Sequence, residues 1–267
     1  MKYIVFDTET SCLDMNRVEI WQLSGKVIDV DNKTVARFNY NFRTKEPISY
    51  NARVRCKIVQ EKIDEYPEFN GDILLRELCL NDKDVYYIGH NVSYDREVVK
   101  SVLTRNYYSA VQMENLYDNN KWIDTLRLAK HIYHDKEVTD CSGTNLISFA
   151  LEYLFHYLHL YEYDKDRELK FHDARFDVDA TWDLLKHCAK KLNVDLNDAE
   201  ELVRISNEPI MLTNFSFGKY KGIPYKTVYN KDKGYFKWLY TQDTMNPESN
   251  NFDVDLFYTI GKLVGDL

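Results

Sequence analysis

Residues 171–181 read FHDARFDVDAT: His172 stands five positions ahead of Asp177, and Asp177 begins an apolar stripe. Positions 177, 181, 184, 185 and 188 share one face of a helix expected over 174–190, so Asp177 points at whatever that face covers. An unpaired carboxylate is costly in such a place and needs a partner. Two readings stay open on this stretch alone. One is a loop histidine before an ordinary helix-start aspartate. The other is a carboxylate on a cation, with an imidazole that titrates near neutrality hanging over it.

Acids far from this stretch could supply the cation's other ligands. FDTET (6–10) closes a β-rich run that begins at position 2, and side chains alternate along a strand, so Asp7 and Glu9 project from one face. Two convergent carboxylates repel unless a cation lies between them, and oxygen donors of this kind suit Mg²⁺ or Mn²⁺. A solvated strand end is the plainer alternative. In IGHNVSYD (88–95), Asp95 falls in the first turn of a helix expected over 93–105, where the helix dipole by itself also favours an aspartate.

Around these pieces the pattern is that of an α/β protein. Runs 2–6, 18–30 and 34–42 read as strands, the last two joined by the turn-like DVDNK (29–33), which suggests an antiparallel meander. After Pro47 the pattern turns helical; 85–88 and 122–123 are short strands, and further helices are expected over 125–133 and 146–160. Three strands followed by alternating helix and strand imply a mixed β-sheet flanked by helices. Past Leu192 short turns gather around Gly218, Gly222 and Gly234, which places a catalytic domain at 1–205 and a small basic and aromatic module at 206–267.

Bulk properties narrow the class. A chain of 267 residues can build one good-sized core plus an appendage. The five cysteines (Cys12, Cys56, Cys79, Cys141, Cys188) are scattered with no C-x-x-C pair, which argues against a disulfide framework and for a reducing, cytoplasmic setting. No run of about 18 apolar residues occurs and the N-terminal apolar run is too short for a leader, so a soluble protein without a membrane partner is expected. The net charge of −8 is segregated: 213–240 holds six Lys and one Asp, +5, leaving −13 elsewhere. No phosphate-binding glycine loop or nucleophile elbow is present. The pairs His131/His134 and His156/His159 have metal-like spacing but no evident third ligand.

Taken in order and in these contexts, FDTET (6–10), HNVSYD (90–95) and His172 with Asp177 followed by Ala180-Thr181 resemble the three motifs of the DEDDh branch of the DnaQ-like 3′-to-5′ exonucleases. IDTLRLA (123–129) is similar to that family's strand-to-helix step. MLTNFSFGKYKG (211–222), GYFKWL (234–239) and DTMNP (243–247) resemble the C-terminal tail of the exodeoxyribonuclease X group within the branch. Cys12, Cys56 and Arg175 depart from the usual Gly, His and Leu; none of them removes a ligand.

The resemblance implies a ribonuclease H-like fold and a metal-dependent 3′-to-5′ exodeoxyribonuclease that releases 5′-mononucleotides in DNA repair or turnover. Asp7, Glu9 and Asp177 would hold one Mg²⁺ or Mn²⁺, and Asp7 with Asp95 a second about 4 Å away. His172 would be the general base, worth about 10² to 10⁴ in rate. Leu13 is expected against the terminal base, with Thr8, Thr10 and Asn91 as further nucleic-acid contacts. In the basic tail Lys219 and Lys221 are the candidate phosphate contacts, and Arg53 and Arg55 a second patch beside the groove. Phe215, Phe217, Phe236, Trp238 and Leu239 are expected to pack inward. DNA is the expected partner, as single strands or duplex 3′ ends. An RNA exonuclease of the same branch and a polymerase-associated proofreading subunit are the alternatives.

Overall fold

The computed structural model describes residues 1–134, 145–163, 169–249 and 251–265. Two compact units emerge. One carries the sheet and ends at Ser206, and the other comprises the chain from Asn207 onward together with a short stretch around Tyr133.

The first unit is built on five strands: β1 (Lys2–Thr10), β2 (Ile20–Ile28), β3 (Thr34–Asn41), β4 (Val85–Gly89) and β5 (Trp122–Asp124). Their order is β3-β2-β1-β4-β5, with β1–β2 and β2–β3 antiparallel and β1–β4 and β4–β5 parallel. The expected meander and mixed sheet are thus present. Tyr3, Ile4, Val5 and Phe6 are all sealed, as a central strand covered on both faces requires. β1 runs on through Thr10 instead of stopping at Phe6, which puts Asp7 and Glu9 inside the strand.

Three short helices, α1 (Tyr50–Cys56), α2 (Gln60–Asp64) and α3 (Gly71–Glu77), follow β3; α4 (Val92–Arg105) follows β4, and α5 (Thr125–Tyr133) follows β5. The helix expected over 146–160 is shorter: α6 spans Leu151–Tyr157, with a 3-10 turn at Leu160–Tyr163. Its first residues are extended because the Phe149 carbonyl pairs with the half-buried His90 Nε2 at 2.9 Å. α7 (Ala174–Leu192) lies across β1 and β2, and α8 (Ala199–Asn207) follows it. An ion pair helps to fix α7: Lys26 Nζ on β2 meets Asp179 at 2.6 Å, with Lys26 almost fully buried. Burial lowers the Lys26 pKa to about 8. Removing Asp179 would strand that ammonium, a loss of about 3–5 kcal/mol.

The second unit has its own core of Phe215, Tyr225, Val228, Tyr235, Phe236, Leu239, Met245, Leu256 and Ile260. It is carried by α9 (Tyr225–Lys231), α10 (Lys233–Leu239) and α11 (Val254–Val264). Phe215, Phe236 and Leu239 point inward as expected, but Phe217 and Trp238 do not; they are 37% and 49% exposed. Among the described residues no helix is long and apolar enough to cross a membrane.

Candidate active site

β1 outruns its parallel neighbour. Its pairing with β4 ends at Val5–Ile88, so past that point the edge of β1 has no strand beside it. The first turn of α4 fills the gap: the Thr8 N–H and hydroxyl both donate to Asp95 Oδ1, at 3.0 and 2.6 Å. Asp95 is therefore buried against the strand that carries Asp7 and Glu9. The chain enters α4 through Asn91, held left-handed at φ 64° with its N–H on Asp124 Oδ1 at 2.9 Å. Gly89 is required there, since a Cβ would fall 2.8 Å from the Val92 side chain.

On the other side β2 places α7. Gln22 pairs with Glu9 across the ladder; its amide nitrogen donates to Asp173 Oδ1 and its Oε1 accepts from the Ala174 N–H, both at 3.2 Å. The N-terminus of α7 is tied in this way to the residue opposite Glu9, and Asp177 on its first turn arrives beside that carboxylate. Asp177 Oδ2 accepts from the His172 N–H at 3.1 Å, while its buried Oδ1 has no hydrogen-bond partner. His172 itself is left-handed, φ 66°.

The four carboxylates suppress one another's ionisation. Burial, then Asp95, Asp177 and Glu9, hold the Asp7 carboxyl well above the usual range. Burial pushes Glu9 and Asp95 up to about 7, the latter in spite of its two Thr8 bonds, and burial with Glu9 pushes Asp177 up to about 8. Glu9, His172 and Asp177 offer ligand atoms within 4.8 Å of one another, the one such His/Cys/Asp/Glu group among the described residues. Neither His131/His134 nor His156/His159 belongs to it. A hard divalent cation fits this donor set: it would satisfy the orphaned Asp177 oxygen and relieve the repulsion.

Around the acids lies a groove of about 550 Å³ that Thr8, Thr10, Leu13, Arg55, Asn91 and Glu152 help to line. Leu13 is 79% exposed at its edge. Thr10 shares a hydrogen bond with Tyr94 Oη at 2.8 Å. Thr8, by contrast, has its hydroxyl committed to Asp95, so its polar group acts inside the cluster. Arg55 Nε donates to His172 Nδ1 at 3.1 Å, and His172 Nε2 lies 3.8 Å from Glu152. Burial and then Arg55 lower the His172 pKa from its ordinary value. Arg53 does not line the groove; its Nε goes to the Ile48 carbonyl and its guanidinium lies over Tyr50. Lys219 and Lys221 belong to the second unit, where Lys219 pairs with Asp232 at 3.1 Å. A larger cleft, about 1230 Å³, is lined by Arg17, Glu19, Lys45 and paired charges such as Arg43 and Glu68, and holds none of the candidate residues.

Sequence reasoning missed two groups. Cys56 Sγ donates to Glu9 Oε2 at 3.1 Å, and burial raises the pKa of its thiol, keeping it protonated as a donor. Glu152 faces the histidine from α6. The one signal for Cys56 was its departure from the family pattern; nothing local marked Glu152.

This arrangement, carboxylates on a central strand and two helices of a mixed sheet, defines a hydrolytic nuclease. The chain belongs to the exonuclease family, whose model matches residues 4–185. Exodeoxyribonuclease 10 of Escherichia coli strain K12 is 27% identical over 245 residues, covering 91% of this chain and 93% of the relative. Two solved structures share the fold. Exonuclease X in complex with 5′-overhanging duplex DNA matches 77% of this chain and 99% of its own, with 20% identity and a TM-score of 0.52. The zinc-bound form of the E. coli Exonuclease I complex with single-stranded DNA matches 72% of this chain, with 17% identity and a TM-score of 0.57; this chain spans 41% of its length.

Proposed function

We propose that the protein is a DEDDh-type 3′-to-5′ exodeoxyribonuclease that trims DNA 3′ ends to 5′-mononucleotides in repair or turnover. The observation that carries the reading is the convergence of Asp7, Glu9, Asp95 and Asp177, drawn from a strand and two helices, with one buried carboxylate oxygen left without a protein donor. The name of the E. coli relative and the DNA in the two structural neighbours support DNA over RNA.

Asp7, Glu9, Asp95 and Asp177 would hold two Mg²⁺ or Mn²⁺. When bound, such cations neutralise charge on the scissile phosphate and lower the pKa of the attacking water. Thr8 holds Asp95, Cys56 holds Glu9, and Gln22 holds the turn that carries Asp177. The Arg55 bond makes His172 Nδ1 an acceptor and leaves the ring proton on Nε2, toward Glu152. A phosphate entering the groove competes for the Arg55 guanidinium. Once Arg55 turns to it, the Nδ1 lone pair is free to take the proton of the attacking water. Leu13 packs on the terminal base, with Thr10 and Asn91 along the same groove. The segment 206–267 serves as a nucleic-acid-binding module in which Lys219 and Lys221 face phosphates.

The test is purified protein with Mg²⁺ on 5′-labelled DNA and RNA oligonucleotides, side by side with Asp7→Ala. Stepwise shortening of DNA, lost in Asp7→Ala with its circular dichroism unchanged, is the expected result. Equal or faster shortening of RNA would move the substrate to RNA, and a near-wild-type rate in Asp7→Ala would remove the site.

A further inference from the structure

Three aromatic side chains of the second unit are exposed, Phe217, Trp238 and Tyr240, and the first two are joined through the rings of its core. On α10 the inward residues are Tyr235, Phe236 and Leu239, which share one helical face, so Trp238 is turned to solvent. Phe217 sits just before Gly218, whose φ of +65° swings the following lysine back over the core. A Cβ at Gly218 would fall 2.9 Å from Tyr235 Oη, so the 217–219 stretch is pressed onto that tyrosine. Trp238 packs on the same ring, centroids 5.1 Å apart and planes at 31°, and Lys219 Nζ lies 5.0 Å over it. Phe217 stands beside them through Phe215, itself 5.7 Å from Tyr235. The outcome is two exposed rings, each seated on a ring of the same aromatic core.

Charge says what that face takes. Asp232, the single acid among the six lysines of 213–240, is consumed internally: it accepts from the Tyr235 N–H at 3.0 Å and the Tyr220 hydroxyl at 2.6 Å, besides pairing with Lys219. Three of the acids that follow are also used in structure. Asp253 caps α11 through the Asp255 and Leu256 N–H groups, Asp255 accepts from the Ile210 N–H, and Asp243 accepts from Asn251. Lys221, Lys226 and Lys237 have no acidic partner among the described residues. Exposed ring faces on a unit that also carries unpaired ammonium groups match a strand whose bases are unstacked and whose phosphates are continuous. A duplex keeps its bases stacked inside and would leave the rings without a partner.

We propose that Trp238 and Phe217, with the unpaired Lys221, Lys226 and Lys237 of the same unit, form a single-strand-binding platform on which Trp238 stacks against a base. The identity of its ligand rests on the nuclease reading, and its residues are separate from those of the acid cluster.

The test exploits the other tryptophans: Trp21, Trp122 and Trp182 are 4–6% exposed, so Trp238 is the one open to a solvent quencher. Full-length protein in EDTA is titrated with 5′-labelled dT12, following anisotropy and acrylamide quenching of tryptophan emission. Bound dT12 is expected to shield the accessible tryptophan, Trp238→Ala to weaken binding about 10-fold, and Trp238→Phe to recover most of the loss. Lys221→Ala should flatten the salt dependence of binding. Unchanged quenching, or wild-type dT12 affinity in Trp238→Ala, overturns the platform. So does shielding by anionic phosphatidylserine vesicles or by blunt duplex where dT12 gives none. The two readings fail separately: shielding by dT12 without hydrolysis in Mg²⁺ sinks the nuclease, whereas hydrolysis with unaltered quenching sinks the platform alone.

Discussion

Replacing Asp177 by Asn should stabilise the protein when divalent cations are withheld and weaken its response to them when they are supplied. Asp177 is 7% exposed, and its carboxyl is raised to about 8 by burial and Glu9. A folded-state pKa above the unfolded value of about 3.8 means that the folded protein holds the extra proton. This stability is fully present below pH about 4 and is lost as pH rises through about 8. At about 1.36 kcal/mol per pH unit the ceiling on the loss is about 6 kcal/mol. Because the four acids share protons, about 2–3 kcal/mol is the realistic gain for Asn at pH 9. For a unit of this size that raises Tm by about 5–10 °C. The amide oxygen can still accept from the His172 N–H, so little else is lost. The assay is thermal melting of both proteins at pH 5 and pH 9, in EDTA and in Mn²⁺. The gap should shrink severalfold at pH 5, and Mn²⁺ at 100 times its wild-type Kd should add about 2.7 kcal/mol to wild type and less to the variant. An Asn variant that melts below wild type in EDTA at pH 9, or that gains as much from Mn²⁺, would refute the reasoning.

His172→Ala should lower kcat by about 10² to 10⁴ and abolish the acid limb of the pH–rate profile. In wild type that limb lies below pH about 6.5, because burial and Arg55 depress the imidazole pKa; an unchanged limb in the variant would count against the base. Cys56→Ser keeps a donor on Glu9 and should retain near-wild-type cation affinity, whereas Cys56→Ala should weaken it about 10-fold by calorimetry. Equal affinity in both variants would make the thiol mere packing. Leu13→Ala should raise KM on DNA severalfold with circular dichroism unchanged, given that 79% of this side chain is open to solvent; a wild-type KM would argue against its contact with the terminal base.

How much was legible depended on how local the cause was. The shared face of Asp7 and Glu9 follows from strand alternation, and the inward aim of Asp177 from helical period, so both could be read from neighbours in the chain. The same period could have shown Trp238 facing out, since Tyr235, Phe236 and Leu239 already occupy the inward face of α10. Aromatic density alone suggested burial and misled. The helix expected over 146–160 is present but begins only at Leu151 for another reason: a half-buried histidine 59 positions away takes the Phe149 carbonyl, and no local pattern carries that bond.

The sequence by itself determined which side chains can ionise, which alternate onto one face, and that acids from three segments were candidates for one cation site. Only the tertiary structure decided which groups aim the acids and the histidine. Thr8 holds Asp95 across 87 positions, Cys56 holds Glu9 across 47, Gln22 seats the turn before Asp177 across 151, and Arg55 engages His172 across 117. Hydrogen-bond partners at such separations are chosen by how the sheet and helices pack. A thiol or an amide carries no mark of its partner until the fold brings the two within 3 Å or so of each other.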